Sequence, residues 1–100
     1  MARPKNIRKV FNVPEVCYFK PKGIPIHELE EIVLTVEELE SIRLSDLECL
    51  YQEQAAEKMG VSRSTLGRII ISAHKKIADA IINGKAIKIE GGSYILGKTN

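Results

Sequence analysis

The stretch "QEQAAEKMGVSRSTLGRI", Gln52 to Ile69, places a glycine between two segments of helical character, with an alanine four residues before it and a serine two residues after it. Gly60 is the residue type that most easily adopts the left-handed conformation closing a helix C-terminus. Ser62 is a natural N-cap for the second of the two segments. The spacing predicts a short second helix over about 52–59, a sharp turn, and a third helix starting at Arg63. Ala56 lets the two helices cross closely, while Met59, Val61, Leu66 and Ile69 fill the angle between them. Glutamine, alanine four residues on, glycine after four more, then apolar residues six and nine beyond: these are the positions a helix-turn-helix requires.

The third helix is expected to reach about Asn83, where "NG" can stop it. On a helical wheel Leu66, Ile69, Ile70, Ala73, Ile77, Ala80 and Ile81 fall within about 120° and predict the core stripe. The opposite face carries Ser64, Arg68, Ser72, Lys75, Lys76 and Asp79. Arginine can donate a bidentate pair to a guanine edge, hydroxyls can bond bases or phosphates, and backbone N–H groups at a helix start can hold a phosphate. Ser62, Arg63, Ser64, Thr65, Gly67, Arg68 and Lys75 are therefore the expected DNA-binding residues, with Gly67 leaving room for a groove wall. Solvated helix faces also carry arginines; the agreement of cap, small residue, turn glycine and apolar spacing favours the DNA reader. Ile71 and Ile82 stand apart from the core stripe, nearly in line, with Ala78 beside them. They predict a second apolar strip that packs on the C-terminal segment or on a partner subunit, and are the candidate homodimer contacts.

Upstream, Thr35 with Glu38 three residues later predicts a capping box, and Glu37 and Glu38 suit the positive end of the helix dipole. Val36, Leu39, Ile42, Leu47 and Leu50 share one arc, so this first helix is expected over about 36–47, with Arg43 and Asp46 pairing at the core's edge. Residues 1–15, with Pro4 and Pro14, read as an irregular basic arm whose Arg3, Lys5, Arg8 and Lys9 would lie on the DNA backbone or in a minor groove. Val16 to Phe19 reads as a brief extended segment ended by Pro21, Gly23 and Pro25, and a helical turn can follow Pro25. "KAIKIEGGSYILG" reads as a hairpin over about 86–96 turning at Gly91 and Gly92, followed by a tail over 97–100. The expected fold is mainly α: one helix-turn-helix domain over 16–96, a three-helix core with a short N-terminal extended segment and a C-terminal β-hairpin.

One hundred residues that are 44% apolar suffice for one such domain with its own core. Charge is sorted along the chain. Residues 1–23 hold six cations against Glu15, residues 24–57 ten acids against Arg43, and residues 58–89 seven cations against Asp79. A polyanion is drawn to the flanks and repelled by the middle. No apolar run has the length of a membrane span, the basic start leads into no signal-peptide core, and Cys17 and Cys49 are expected as separate, reduced thiols, Cys49 as a small core residue; a cytoplasmic location follows. Cys17, Cys49, His27 and His74 show no metal-ligand spacing or nucleophile motif, so neither catalysis nor a metal or other cofactor is expected. Few aromatics and no sheet motif for stacking bases make RNA a poor partner.

Residues 34–80, "LTVEELESIRLSDLECLYQEQAAEKMGVSRSTLGRIIISAHKKIADA", resemble region four of bacterial sigma factors. With "YFKPKGIP", "EKMGVSRSTLGRI" and "NGKAIKIEGG", residues 2–92 resemble an uncharacterised (UPF-type) family of small predicted DNA-binding proteins of bacteria and archaea. The resemblance implies a helix-turn-helix fold and DNA binding, and carries over Ser62, Arg63, Ser64, Thr65 and Arg68 as the reading surface. Ile7 and Phe11 stand where that family's arm often has cysteines, and no metal role is carried over. The expected function is sequence-specific binding of double-stranded DNA by a transcriptional regulator. The rival is a protein-interaction adaptor that docks the acidic 28–57 surface on a transcription-complex protein and keeps the helix-turn-helix as scaffold.

Overall fold

The computed structural model describes residues 7–11 and 13–97; Arg3 and Lys5 of the expected arm lie outside them. The chain is mainly α with a helical core and small strands. Its elements run β1 (Arg8–Val10), β2 (Tyr18–Phe19), a 3-10 turn (Ile26–Glu28), β3 (Glu31–Leu34), α1 (Val36–Ile42), a π-helical turn (Arg43–Leu47), α2 (Gln52–Met59), α3 (Arg63–Asn83), β4 (Ala86–Ile89) and β5 (Tyr94–Leu96).

Helix α1 starts on the capping box: Thr35 Oγ1 accepts from the Glu38 N–H at 3.2 Å, and the Glu38 carboxylate accepts from the Thr35 N–H at 2.8 Å. The helix does not continue unbroken to Leu47. The Glu48 N–H bonds the Arg43 carbonyl five residues back at 2.8 Å, and this wider turn shifts the phase of the wheel. Leu44, on the face of α1 that also buries Glu37, Glu40 and Ser41, points inward, 2% exposed, while Leu47, assigned to the core stripe, is 76% exposed. The same shift separates Arg43 from Asp46: Arg43 forks onto Glu40, and Asp46 meets His74. Cys49 is exposed rather than buried; it stands in the chain reversal between the π-helical turn and α2, where it takes a positive φ of 59°.

Two clusters make the core. Leu44, Ala55, Ala56, Met59, Leu66 and Ile70 join α2 to the first half of α3, and Val10, Leu34, Val36, Ala73 and Ile89 join the strands to α1 and the middle of α3. Ile81 is exposed, although the wheel puts it with the core stripe; it stands at the edge of the arc, one position past buried Ala80.

The two C-terminal strands follow one another across Gly91 and Gly92 but do not form a hairpin with each other. β4 is the centre of a three-stranded sheet, antiparallel to β2 and parallel to β3, while β5 runs parallel to β1. Gly92 sits at φ 102°, and a Cβ there would collide with Glu37 Oε1, so only glycine lets the crossing segment lie on the start of α1. Part of the expected irregular arm is thus a strand: Val10 is fully buried, and the Gly97 N–H closes on its carbonyl at 2.6 Å. No helix among the described residues is long and apolar enough to cross a membrane.

Candidate functional site

The turn between α2 and α3 is fixed by backbone chemistry. Gly60 closes α2 at φ 68°, the Val61 N–H bonds the Ala56 carbonyl at 3.0 Å, and the N-cap of α3 stands two residues after the glycine. Ser62 Oγ accepts the Thr65 N–H at 3.1 Å and lies 3.0 Å from Thr65 Oγ1. Removing that cap should cost about 1 kcal/mol. Leu66, fully buried, pins the first turn of α3 to α2, which leaves Ser62, Arg63, Ser64 and Arg68 exposed on the outer side.

These side chains are lightly tied. Arg63 reaches Glu53 at 3.4 Å between two exposed groups, an ion pair of little worth in water. Arg68 Nη2 donates to Thr65 Oγ1 at 3.3 Å. Nothing lies within 4 Å of where a Cβ on Gly67 would stand, so the helix backbone is open to close approach there. Lys75 is exposed two turns further on. From the other side, the Lys9 side chain runs 3.9 Å from the position a Cβ on Gly60 would take, and Lys58 Nζ stands 5.9 Å from the Phe11 ring centroid. Strand β1 thus brings Lys9 beside the turn. Arg8 instead lines a surface cleft with Glu37, Glu38, Arg68, Ser72 and Lys76.

The acidic residues behave differently. Glu40, 2% exposed, accepts Arg43 Nε at 2.7 Å, Arg43 Nη2 at 2.9 Å and the Phe11 N–H at 3.0 Å. That fork raises the Arg43 pKa above its ordinary value. Glu37 accepts the Ser93 N–H at 2.9 Å. Glu38 holds its own cap, Ser72 Oγ at 2.5 Å and Lys76 Nζ at 2.7 Å. Burial pushes the Glu38 carboxyl up, but the bonds from Lys76, Ser72 and the Thr35 N–H outweigh it and leave its pKa below the ordinary value. Ser72 and Lys76, which the wheel assigns to the outward polar face of α3, therefore turn toward α1. Their spacing of four residues on one helix was the available signal; the identity of their common partner, on another element, was not.

Ile71 and Ile82 are 69% and 79% exposed. The C-terminal segment does not cover them, because β4 and β5 are drawn to the other strands. Among the described residues no group of three or more His, Cys, Asp or Glu is placed to hold a metal ion.

A capped long helix on a glycine turn, braced by buried carboxylates and small strands, defines a small, mainly α protein in which the start of α3 is polar and exposed. The profile of the family described as "Protein of unknown function DUF134" matches residues 1–97, and the chain belongs to that family. It is 63% identical over 91 residues to a UPF0251 protein of Prosthecochloris aestuarii, 62% over 94 residues to one of Caldanaerobacter subterraneus subsp. tengcongensis, and 58% over 96 residues to one of Moorella thermoacetica. Those alignments take in 91%, 94% and 96% of this chain, and 59%, 80% and 64% of the respective relatives' lengths. No solved structure matches the chain.

Proposed function

We propose that this chain is a sequence-specific DNA-binding protein and a transcriptional regulator, with a helix-turn-helix like that of sigma region four formed by α2 and α3, and with the start of α3 in the major groove. The observation that carries this reading is the start of α3. Ser64, Arg68 and the open backbone at Gly67 project from a capped, rigidly turned helix, while the nearby acids Glu37, Glu38 and Glu40 are buried in bonds within the domain. Arg63 and Arg68 read bases; Ser62, Thr65, Lys75, Arg8 and Lys9 contact the phosphate backbone.

The adaptor reading would rest on the seven acids of residues 28–57 that stay exposed, since Glu37, Glu38 and Glu40 are buried. Ile82, exposed far from the turn with Ile81 beside it, is where a second copy would pack.

Selection of duplexes from a random pool by the purified chain, followed by affinity against salt, tests the reading. An enriched motif with a log–log slope of several units is expected, and an inverted repeat would add the homodimer. No enrichment and no salt-dependent binding would sink it and leave the adaptor as the reading to pursue.

A further inference from the structure

The seven residues Ser64, Gly67, Arg68, Ile71, Lys75, Ala78 and Ile82 lie within about 100° of arc on α3, so the apolar strip and the polar reading residues are one face of one helix. Along that face they divide by distance. Ile71 is seven residues from Ser64, a rise of about 10 Å, which is within the roughly 12 Å width of a major groove. Ile82 is eighteen residues on, about 27 Å away, and lies beyond any groove that holds the helix start.

Ile71 is 69% exposed, one turn after Gly67 and bracketed by the exposed cations Arg68 and Lys75. A subunit contact centred on it would bury both cations and cover the face that Ser64 and Arg68 present. A groove suits all of them at once: the cations meet phosphates or guanine edges, and the branched apolar side chain meets the one apolar group a base pair displays there, the C5-methyl of thymine. Gly67, with open space before its Cα, lets the helix sink far enough for a side chain one turn on to reach a base.

We propose that Ile71 is a specificity-determining residue that packs on a thymine methyl in the major groove, an assignment that rests on the DNA reading above.

The test uses the full chain and the duplex recovered from the random pool, with each thymine replaced in turn by deoxyuridine, which pairs alike and lacks only the methyl. At one position the wild type should lose about fourfold in affinity, the worth of one buried methyl group. Ile71→Ala should be weaker on the intact duplex and indifferent to that replacement, and its thermal unfolding should match the wild type because the side chain is exposed. An enriched duplex on which Ile71→Ala keeps every thymine penalty overturns this proposal and leaves the DNA reading standing. So does an Ile71→Ala chain that sediments as a monomer where the wild type is a dimer while its thymine penalties persist. A pool that yields no enriched duplex overturns both.

Discussion

Helices α1 and α3 both begin on a hydroxyl, Thr35 and Ser62, that accepts the N–H three residues on, yet the charged groups near the two starts meet opposite fates. Around α1, Glu37, Glu38 and Glu40 are buried, and each receives at least one backbone N–H from Ser93, Thr35 or Phe11. Around α3, Arg63 and Arg68 stay in water with only weak ties. The carboxylates act as internal clamps joining β1, α3 and the segment before β5 to one short helix. The arginines have no comparable duty within the domain. A chain of small net charge can thus turn a positive face outward, by drawing part of its negative charge inward rather than by adding lysines.

Substitutions on either side test this contrast. The largest effect is expected at the clamp: Glu38→Ala strands the Lys76 ammonium and the Thr35 N–H, and should lower the unfolding free energy by about 3 kcal/mol in a urea titration. A loss under about 1 kcal/mol, the scale of an exposed pair, would show that the clamp is decorative. Arg68→Ala should leave that titration unchanged and cost about 1–3 kcal/mol at one base position of the selected duplex. Equal loss on random DNA would remove its reading role. Ser62→Ala and Thr35→Ala should each destabilise by about 1 kcal/mol, with only the former also changing DNA affinity.

Acid sharpens the comparison further. In the fold the Glu38 carboxyl titrates below its ordinary value, so the unfolded chain binds more protons there as the pH drops. Its contribution is complete above the ordinary carboxylate range and is lost as pH falls through the lowered value. Thermal unfolding of Glu38→Gln followed downward from neutral pH should therefore lack part of the wild-type decline; parallel curves would contradict the assignment. The smallest change is expected for Lys75→Ala, which should weaken all DNA alike and reduce the salt slope by about one unit.

Features set by residues three or four apart could be read from the chain. The caps at Thr35 and Ser62 and the turn at Gly60 depend on such neighbours, and the positions of Ser64, Gly67 and Arg68 on α3 follow from the same periodicity. What escaped depends on partners far along the chain or on a local change of pitch. A wheel at constant pitch cannot foresee the π-helical turn, and one drawn on apolar residues alone misses the face on which Glu37, Glu40 and Ser41 join Leu44 in the interior. Nor does alternation in "KAIKIEGGSYIL" say that Ile87 pairs with Ile32 and Phe19 instead of with its own successor strand. Periodicity places Ser72 and Lys76 outward because it cannot see Glu38, thirty-four and thirty-eight residues upstream.

The parallel pairing of Arg8–Val10 with Tyr94–Leu96 has a consequence for the order of events during synthesis. Helices α1, α2 and α3 are held largely by contacts that close within a few dozen residues, and such contacts form early. Strand β1 is made before the helices, yet it has no parallel partner until Tyr94–Leu96 has left the ribosome. Arg8 and Lys9 then reach their stations together with the closing strand, after the helices they flank. A nascent chain halted before Tyr94 would therefore carry its helices without its latch, and protease resistance around Arg8–Val10 should rise only when β5 is complete.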